Sequence, residues 1–182
     1  MVIRQQALIV VPAIIGILAS IFGLLGYFIG IIFGIPSRLG MPLILRSVGY
    51  VVLTLGFFLM GWIFKYKKPI EILISTYVTM LKSIKRTPLG KVSSRKELLI
   101  LQGPQRHVRH PMYFAVVVLF LGWWLVFDRT FLLFMALFFF LWFNAVVIPF
   151  EEKELKALYE EEYKAYAKAV PRFFPSLKCR WH

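Results

Sequence analysis

Two short stretches of this 182-residue chain carry side chains able to do chemistry. The first, Arg106-His107-Val108-Arg109-His110-Pro111-Met112-Tyr113, sets cations and a proline at the mouth of an apolar run that continues AVVVLFLGWWLVF. Proline suits the first turn of a helix, where its missing N–H costs nothing. The unpartnered amides of that turn, reinforced by Arg106, Arg109 and His110, suit a carboxylate or a phosphate. The second stretch, Glu151-Glu152, follows an apolar run ending NAVVIPF. Carboxylates beside lipid are costly to desolvate without a cationic partner. Asn144 recurs with Ile148 and Glu151 at helical spacing, which predicts that it faces the same cavity. Each stretch also has a plainer use: the basic flank as a headgroup anchor, the acidic pair as the solvated start of a tail.

Anion-binding donors on one helix and carboxylates on its hairpin partner together make a clamp for a zwitterion. The amino-acid moiety of S-adenosylmethionine has that form, and so does a phospholipid head.

The elements that must hold this clamp are apolar. Hydrophobic residues make up 59% of the chain, more than a soluble fold can hide, so the surplus calls for hydrocarbon as solvent. Residues 7–34 carry no charge over 28 positions, residues 43–64 carry Arg46 alone, and residues 111–150 form a 40-residue block broken by Asp128-Arg129-Thr130. A spanning helix needs roughly 20 apolar residues. With Asp128-Arg129-Thr130 as a tight turn, the expected fold is an all-α polytopic membrane protein of about four transmembrane helices. The first block is too long for the core of a signal peptide.

Net charge is +13, but the charges sit in the connections. Eleven of the 22 Lys and Arg lie in residues 65–109 and seven come after Phe150. The positive-inside rule then places both termini, the middle loop and the clamp in the cytoplasm, with Arg38 and Arg129 on outer turns and Arg46 snorkelling to the outer headgroups. Topology and attraction to anionic lipid account for the basicity without nucleic acid. Cys179 is the single cysteine, so no intrachain disulfide forms, and no metal-ligand set is visible.

The chain divides into residues 1–64, two N-terminal spans; 65–110, a basic cytoplasmic loop with an interfacial helix; and 111–182, a transmembrane hairpin and C-terminal helix. Glycines 16, 23, 26, 30, 34, 49, 56 and 61 predict close helix packing in lipid. Residues 69–86 space Ile70, Ile74, Tyr77, Met80, Leu81 and Ile84 for one face of an amphipathic helix. The breaker Thr87-Pro88-Leu89-Gly90 comes next. After Phe150, EEKELKALYEEEYKAYAKA predicts a helix with Glu152–Lys156 and Glu160–Lys164 pairs and a packing stripe of Leu155, Tyr159 and Tyr166, closed by Val170-Pro171.

GPQRHVRHPMY, then a hairpin, then EEKELKALYEEEYKAYAKAVPRFFP, resembles the isoprenylcysteine carboxyl methyltransferases and the related phospholipid methyltransferases. The resemblance spans residues 89–175. It implies a membrane methyltransferase acting on a lipophilic acceptor, an isoprenylcysteine carboxylate or a phospholipid amine. S-adenosylmethionine would sit among the ends of the last two spans, beneath the tail helix. The cofactor-binding residues it implies are Leu98, Leu99, Ile100, Gln105, Arg109, His110, Pro111, Met112, Tyr113 and Glu151. Tyr163, Tyr166, Arg172 and Pro175 match its closing pattern.

Two positions depart from the family. Gln105 stands where a tyrosine is usual, and Val147 stands where the carboxyl methyltransferases carry an arginine thought to engage the acceptor. A carboxylate acceptor would miss that arginine, so Val147 favours a phospholipid amine, a thiol or another lipophilic nucleophile. Asn144 and Val147 are the candidate acceptor-side residues. Glu152, Glu151 and His110, in that order, are the candidates to take a proton. Two alternatives stand beside this reading: a membrane reductase related to the sterol reductases, and a non-catalytic membrane scaffold.

Overall fold

A computed structural model describes residues 2–85 and 103–176. The described residues form six α-helices: α1 (Val2–Ile32), α2 (Leu43–Tyr66), α3 (Pro69–Lys85), α4 (Pro111–Phe127), α5 (Thr130–Trp142) and α6 (Ile148–Ala169). A 3-10 turn, Gly103–Arg106, precedes α4, and a π turn, Phe143–Val147, joins α5 to α6. The breaker at 87–90 and the cofactor candidates Leu98, Leu99 and Ile100 lie outside the described residues, as does Cys179.

Among the described residues, three helices are long and apolar enough to cross a membrane: α1, α2 and the rod that begins with α5. The fourth expected span, α4, has 17 residues. At 1.5 Å per residue it covers about 25 Å, roughly one turn short of a hydrocarbon core. The tail helix is not a separate element. The rod runs from Thr130 to Ala169, through the π turn, and is kinked at Glu160, whose backbone is non-helical (φ 41°, ψ −112°).

The α4–α5 hairpin is the centre of the bundle, with α2 laid along α4 and α1 along α5. Lipid supplies no hydrophobic drive between helices, so contact depends on how closely backbones approach. Glycine sets that approach on the α2–α4 side. A Cβ at Gly49 would stand 2.7 Å from Leu125, one at Gly56 2.8 Å from Leu119, and one at Gly122 2.8 Å from Leu53. Gly26 meets Phe134 in the same way across α1 and α5. Gly16 and Gly61 have nothing within 4 Å, so the packing expected of every glycine holds for part of the set.

The amphipathic α3 buries Tyr77 against Ala7 and Val11 of α1, with Leu73, Ile74 and Leu81 around it. The Tyr77 hydroxyl donates to Gln6 Oε1 at 3.2 Å. Helix α3 therefore packs on the start of α1 and not on lipid alone. The side chains of Met80 and Ile84 are outside the described set.

At the other end of the bundle the predicted hairpin turn does more than reverse the chain. Asp128, 1% exposed and left-handed at φ 53°, ends α4. Its carboxylate accepts the backbone N–H groups of Leu39 (3.0 Å), Gly40 (2.9 Å) and Met41 (3.1 Å). Thr130 Oγ1 donates to the Pro36 carbonyl at 2.6 Å and Thr130 N–H to that of Ser37 at 3.1 Å. Arg46, expected to reach for headgroups, points a guanidinium nitrogen at Asp128, 3.7 Å away. Burial pushes the Asp128 carboxyl up, but the three amides and Arg46 outweigh it and hold the group below its usual range.

Candidate active site

The site is assembled by a loop, a helix start and a returning strap. Gly103 adopts φ +62°, and a Cβ there would stand 2.5 Å from the Tyr66 ring, so the loop lies flat on the end of α2. The chain then rises through the 3-10 turn to His110, the cap of α4, with Pro111 at its first turn as expected.

Residues after α6 double back over this entrance. Arg109 N–H donates to the Pro171 carbonyl (2.9 Å), His110 N–H to that of Arg172 (3.3 Å), and Ser176 N–H to that of His107 (2.9 Å). Phe173 is buried, its ring edge-on to Phe140 at 5.0 Å and to Phe114 at 5.9 Å. Beneath the strap, Tyr163, Tyr166 and Val170 form a small core with Leu155 and Tyr159, the stripe predicted for the tail. The Tyr166 hydroxyl donates to the Gln105 carbonyl at 2.7 Å, so Gln105 contributes its main chain to the loop's support.

Inside this frame the two chemical stretches meet. Arg109 Nη1 lies 2.7 Å from Glu152 Oε1, and Arg172 Nε lies 3.5 Å from the same oxygen. His110 sits between the carboxylates, Nδ1 3.5 Å from Glu151 Oε2 and Nε2 3.4 Å from Glu152 Oε1. The Tyr113 hydroxyl donates to Glu151 Oε1 at 2.7 Å. The rings of His110 and Tyr113 stack at 5.8 Å, and Tyr113 stacks on Phe143 of the π turn at 4.5 Å. Burial opposes charge on His110, yet the carboxylates on its two ring nitrogens prevail and raise its pKa above the ordinary 6.5.

Side-chain pairing in the tail differs from the sequence expectation. Glu152 turns inward to Arg109, away from the Lys156 pairing, and Lys164 pairs with Glu161 at 2.6 Å where Glu160 was expected. Glu160 is the non-helical residue, which removes it from regular i,i+4 spacing.

The remaining candidates fall around the cluster. Pro111 is buried, and Met112 and Val147 pack against the apolar cluster of Tyr113, Phe139 and Ile148. Asn144 directs its amide to the Phe140 carbonyl of its own helix at 2.9 Å. Among the described residues no group of three or more His, Cys, Asp and Glu is placed to hold a metal ion. Arg172 and Phe143 were not singled out as site residues in the sequence. Arg172 carried a signal, its place in the closing pattern, whereas Phe143 is one of 18 phenylalanines and had none.

A family model described as phospholipid methyltransferase matches residues 69–162, more than half of the chain. This chain belongs to the phospholipid methyltransferase family. No curated protein and no solved structure matches it. The matched segment takes in α3 to α5 and most of α6, the helices that bring Glu151 and Glu152 to His110 and Tyr113. Membership makes the protein a membrane methyltransferase of the phospholipid or isoprenylcysteine type, which agrees with its three long apolar helices. Families of this kind generally use S-adenosylmethionine. Arg172 and its strap lie beyond the matched segment, as do α1 and α2 of this family member.

Proposed function

We propose that the protein methylates a lipophilic acceptor with S-adenosylmethionine, and that the cluster of Arg109, His110, Tyr113, Glu151, Glu152 and Arg172 is its cofactor clamp. The observation that carries this reading is the meeting of two guanidinium groups, an imidazole and two carboxylates beside a hairpin of apolar helices. The donor set suits the amino-acid end of the cofactor. Guanidinium groups pair with a carboxylate and Glu151 or Glu152 with an ammonium, so the ligand exchanges for pairs the protein already makes. The stacked Tyr113 and Phe143 offer ring faces of the kind that attract a sulfonium.

When bound, S-adenosylmethionine supplies a methyl group activated by positive sulfur. The chain's own contribution is alignment and exclusion of water, to which the strap of residues 170–176, bonded along residues 107–110, contributes. Glu152 is fixed by Arg109 at 2.7 Å and His110 is engaged by both carboxylates, which favour its charged form, so we assign the acceptance of a proton from an amine or thiol to Glu151. Val147 lies in apolar packing with no cation of its own to offer a carboxylate, which supports a phospholipid amine or thiol over a prenylcysteine carboxylate. The basic loops support a cytoplasmic position for this end of the bundle.

Thermal-shift titration of the purified protein with S-adenosylhomocysteine and with NADPH separates the reading from a reductase. Stabilisation by the first alone is expected, and its absence at millimolar concentration sinks the methyltransferase assignment. A lipid extract incubated with radiolabelled methyl donor then names the acceptor. Label on a phospholipid amine is expected; base-labile label on a prenylcysteine analogue would overturn the inference from Val147.

A further inference from the structure

We infer that Asn144 is a positioning residue: it holds the π turn that sets the rotation of Glu151 and Glu152 against Arg109, His110 and Tyr113. The inference rests on the reading of that cluster as a cofactor clamp, and it assigns Asn144 a role distinct from contact with the acceptor.

A π turn is rare, and as a single turn within an α-helix it amounts to one inserted residue. At 3.6 residues per turn, one residue is about 100° of rotation. The insertion lies at Phe143–Val147, between the part of the rod that packs on α1 and α4 and the part that carries the carboxylates. The Ile148 N–H reaches back to the Phe143 carbonyl, the wider spacing of a π turn. Phe143 N–H is shared between the carbonyls of Phe139 and Phe140. Asn144 Nδ2 donates to the same Phe140 carbonyl at 2.9 Å, so at the entry to the π turn that carbonyl is shared between a main-chain and a side-chain donor.

The turn fixes the contacts of the residues in and after it. Phe143 is brought onto Tyr113 at 4.5 Å, Ile148 is wholly buried against α4 and α5, and Glu151 meets the Tyr113 hydroxyl at 2.7 Å. If the turn relaxed to a regular α-helix while α5 stayed in place, each later residue would advance by one position. Phe150 would take the place of Glu151, and Glu151 that of Glu152. A phenyl ring would then face the Tyr113 hydroxyl and His110, and one of the two carboxylates would leave the cluster.

The test uses three variants: Asn144→Leu, deletion of Ala145, and both together. Leucine cannot supply the bond to Phe140, which favours relaxation and misalignment. Deleting one residue removes the insertion and presents the native face, with Pro149 still lacking its N–H, so it should restore alignment without Asn144. Two readouts are measured in detergent: binding of S-adenosylhomocysteine, and titration of the His110 imidazole by NMR. Asn144→Leu should weaken binding at least about tenfold and bring the His110 pKa down toward or below 6.5. The double variant should recover both, and deletion of Ala145 alone should leave both near wild type.

Asn144→Leu with both readouts unchanged would overturn the proposal. So would a double variant that stays as impaired as the single one. If Asn144→Leu does not fold, a folded Ala145 deletion that loses binding and the raised His110 titration is equally fatal. A wild-type protein that binds no S-adenosylhomocysteine would defeat the clamp reading instead, while the His110 titration still decides the rotation.

Discussion

The two ends of the bundle both bury carboxylates, and they neutralise them in opposite ways. At the hairpin turn, Asp128 is satisfied by three consecutive backbone amides, with Arg46 more distant at 3.7 Å. At the clamp, Glu151 and Glu152 are met by side chains: two arginines, a histidine and a tyrosine. Backbone donors cannot turn away, so Asp128 ties the α1–α2 connection to the hairpin as a fixed clasp. Side-chain donors rotate and can exchange one partner for another. Burying charge with replaceable partners is what a ligand site needs, and burying it with fixed ones is what a fold needs.

The comparison breaks most sharply at Glu152. Glu152→Gln would leave Arg109 and His110 buried without their shared carboxylate, and about 3 kcal/mol of stability should be lost in thermal or denaturant unfolding. Affinity for S-adenosylhomocysteine should fall with it. Asp128→Ala should lower the melting temperature too, yet the folded fraction should bind with wild-type affinity. A binding defect there would show that the ends are not separable. Glu151→Gln should do the reverse, weakening binding by roughly tenfold to a hundredfold through loss of a charge-assisted bond, with little change in melting temperature.

The pH response sharpens the same contrast. His110 has a folded-state pKa raised above the ordinary 6.5, so its stabilisation is fully present below 6.5 and is lost as pH rises through the raised value. Asp128 is lowered, so its stabilisation is present above the usual carboxylate range and is lost as pH falls through the lowered value. Melting temperatures of His110→Gln and wild type should therefore converge at alkaline pH, and those of Asp128→Asn and wild type at strongly acid pH. The smallest effect is expected at Lys164, whose exposed pair with Glu161 belongs to neither end; Lys164→Ala should move neither melting temperature nor affinity measurably.

Much of the molecule was legible in the chain. The run of charge-free residues fixed α1, the proline at 111 fixed where α4 begins, and Asp128-Arg129-Thr130 marked the turn. The meeting of the two stretches of opposite charge was legible because burying either beside lipid requires the other. Three things were not. Arg46 read as a snorkelling side chain, since nothing local shows that Asp128 lies one helix away. Glu152–Lys156 read as a surface pair, since i,i+4 spacing is blind to a stronger cation on another element. The bond from Asn144 to the Phe140 carbonyl was not foreseen, because regular 3.6-residue spacing carries no information about a turn that is not regular.

The sequence by itself determined the solvent, the long apolar runs, the hairpin and the chemical types that meet at the start of α4. Each is a consequence of local composition, and the cost of placing polar groups in hydrocarbon allows few alternatives. Only the tertiary structure decided which carboxylate meets which cation, how the strap after α6 closes over the start of α4, and how far α6 is rotated at the π turn. Those depend on contacts between residues far apart in the chain, which periodicity cannot foresee.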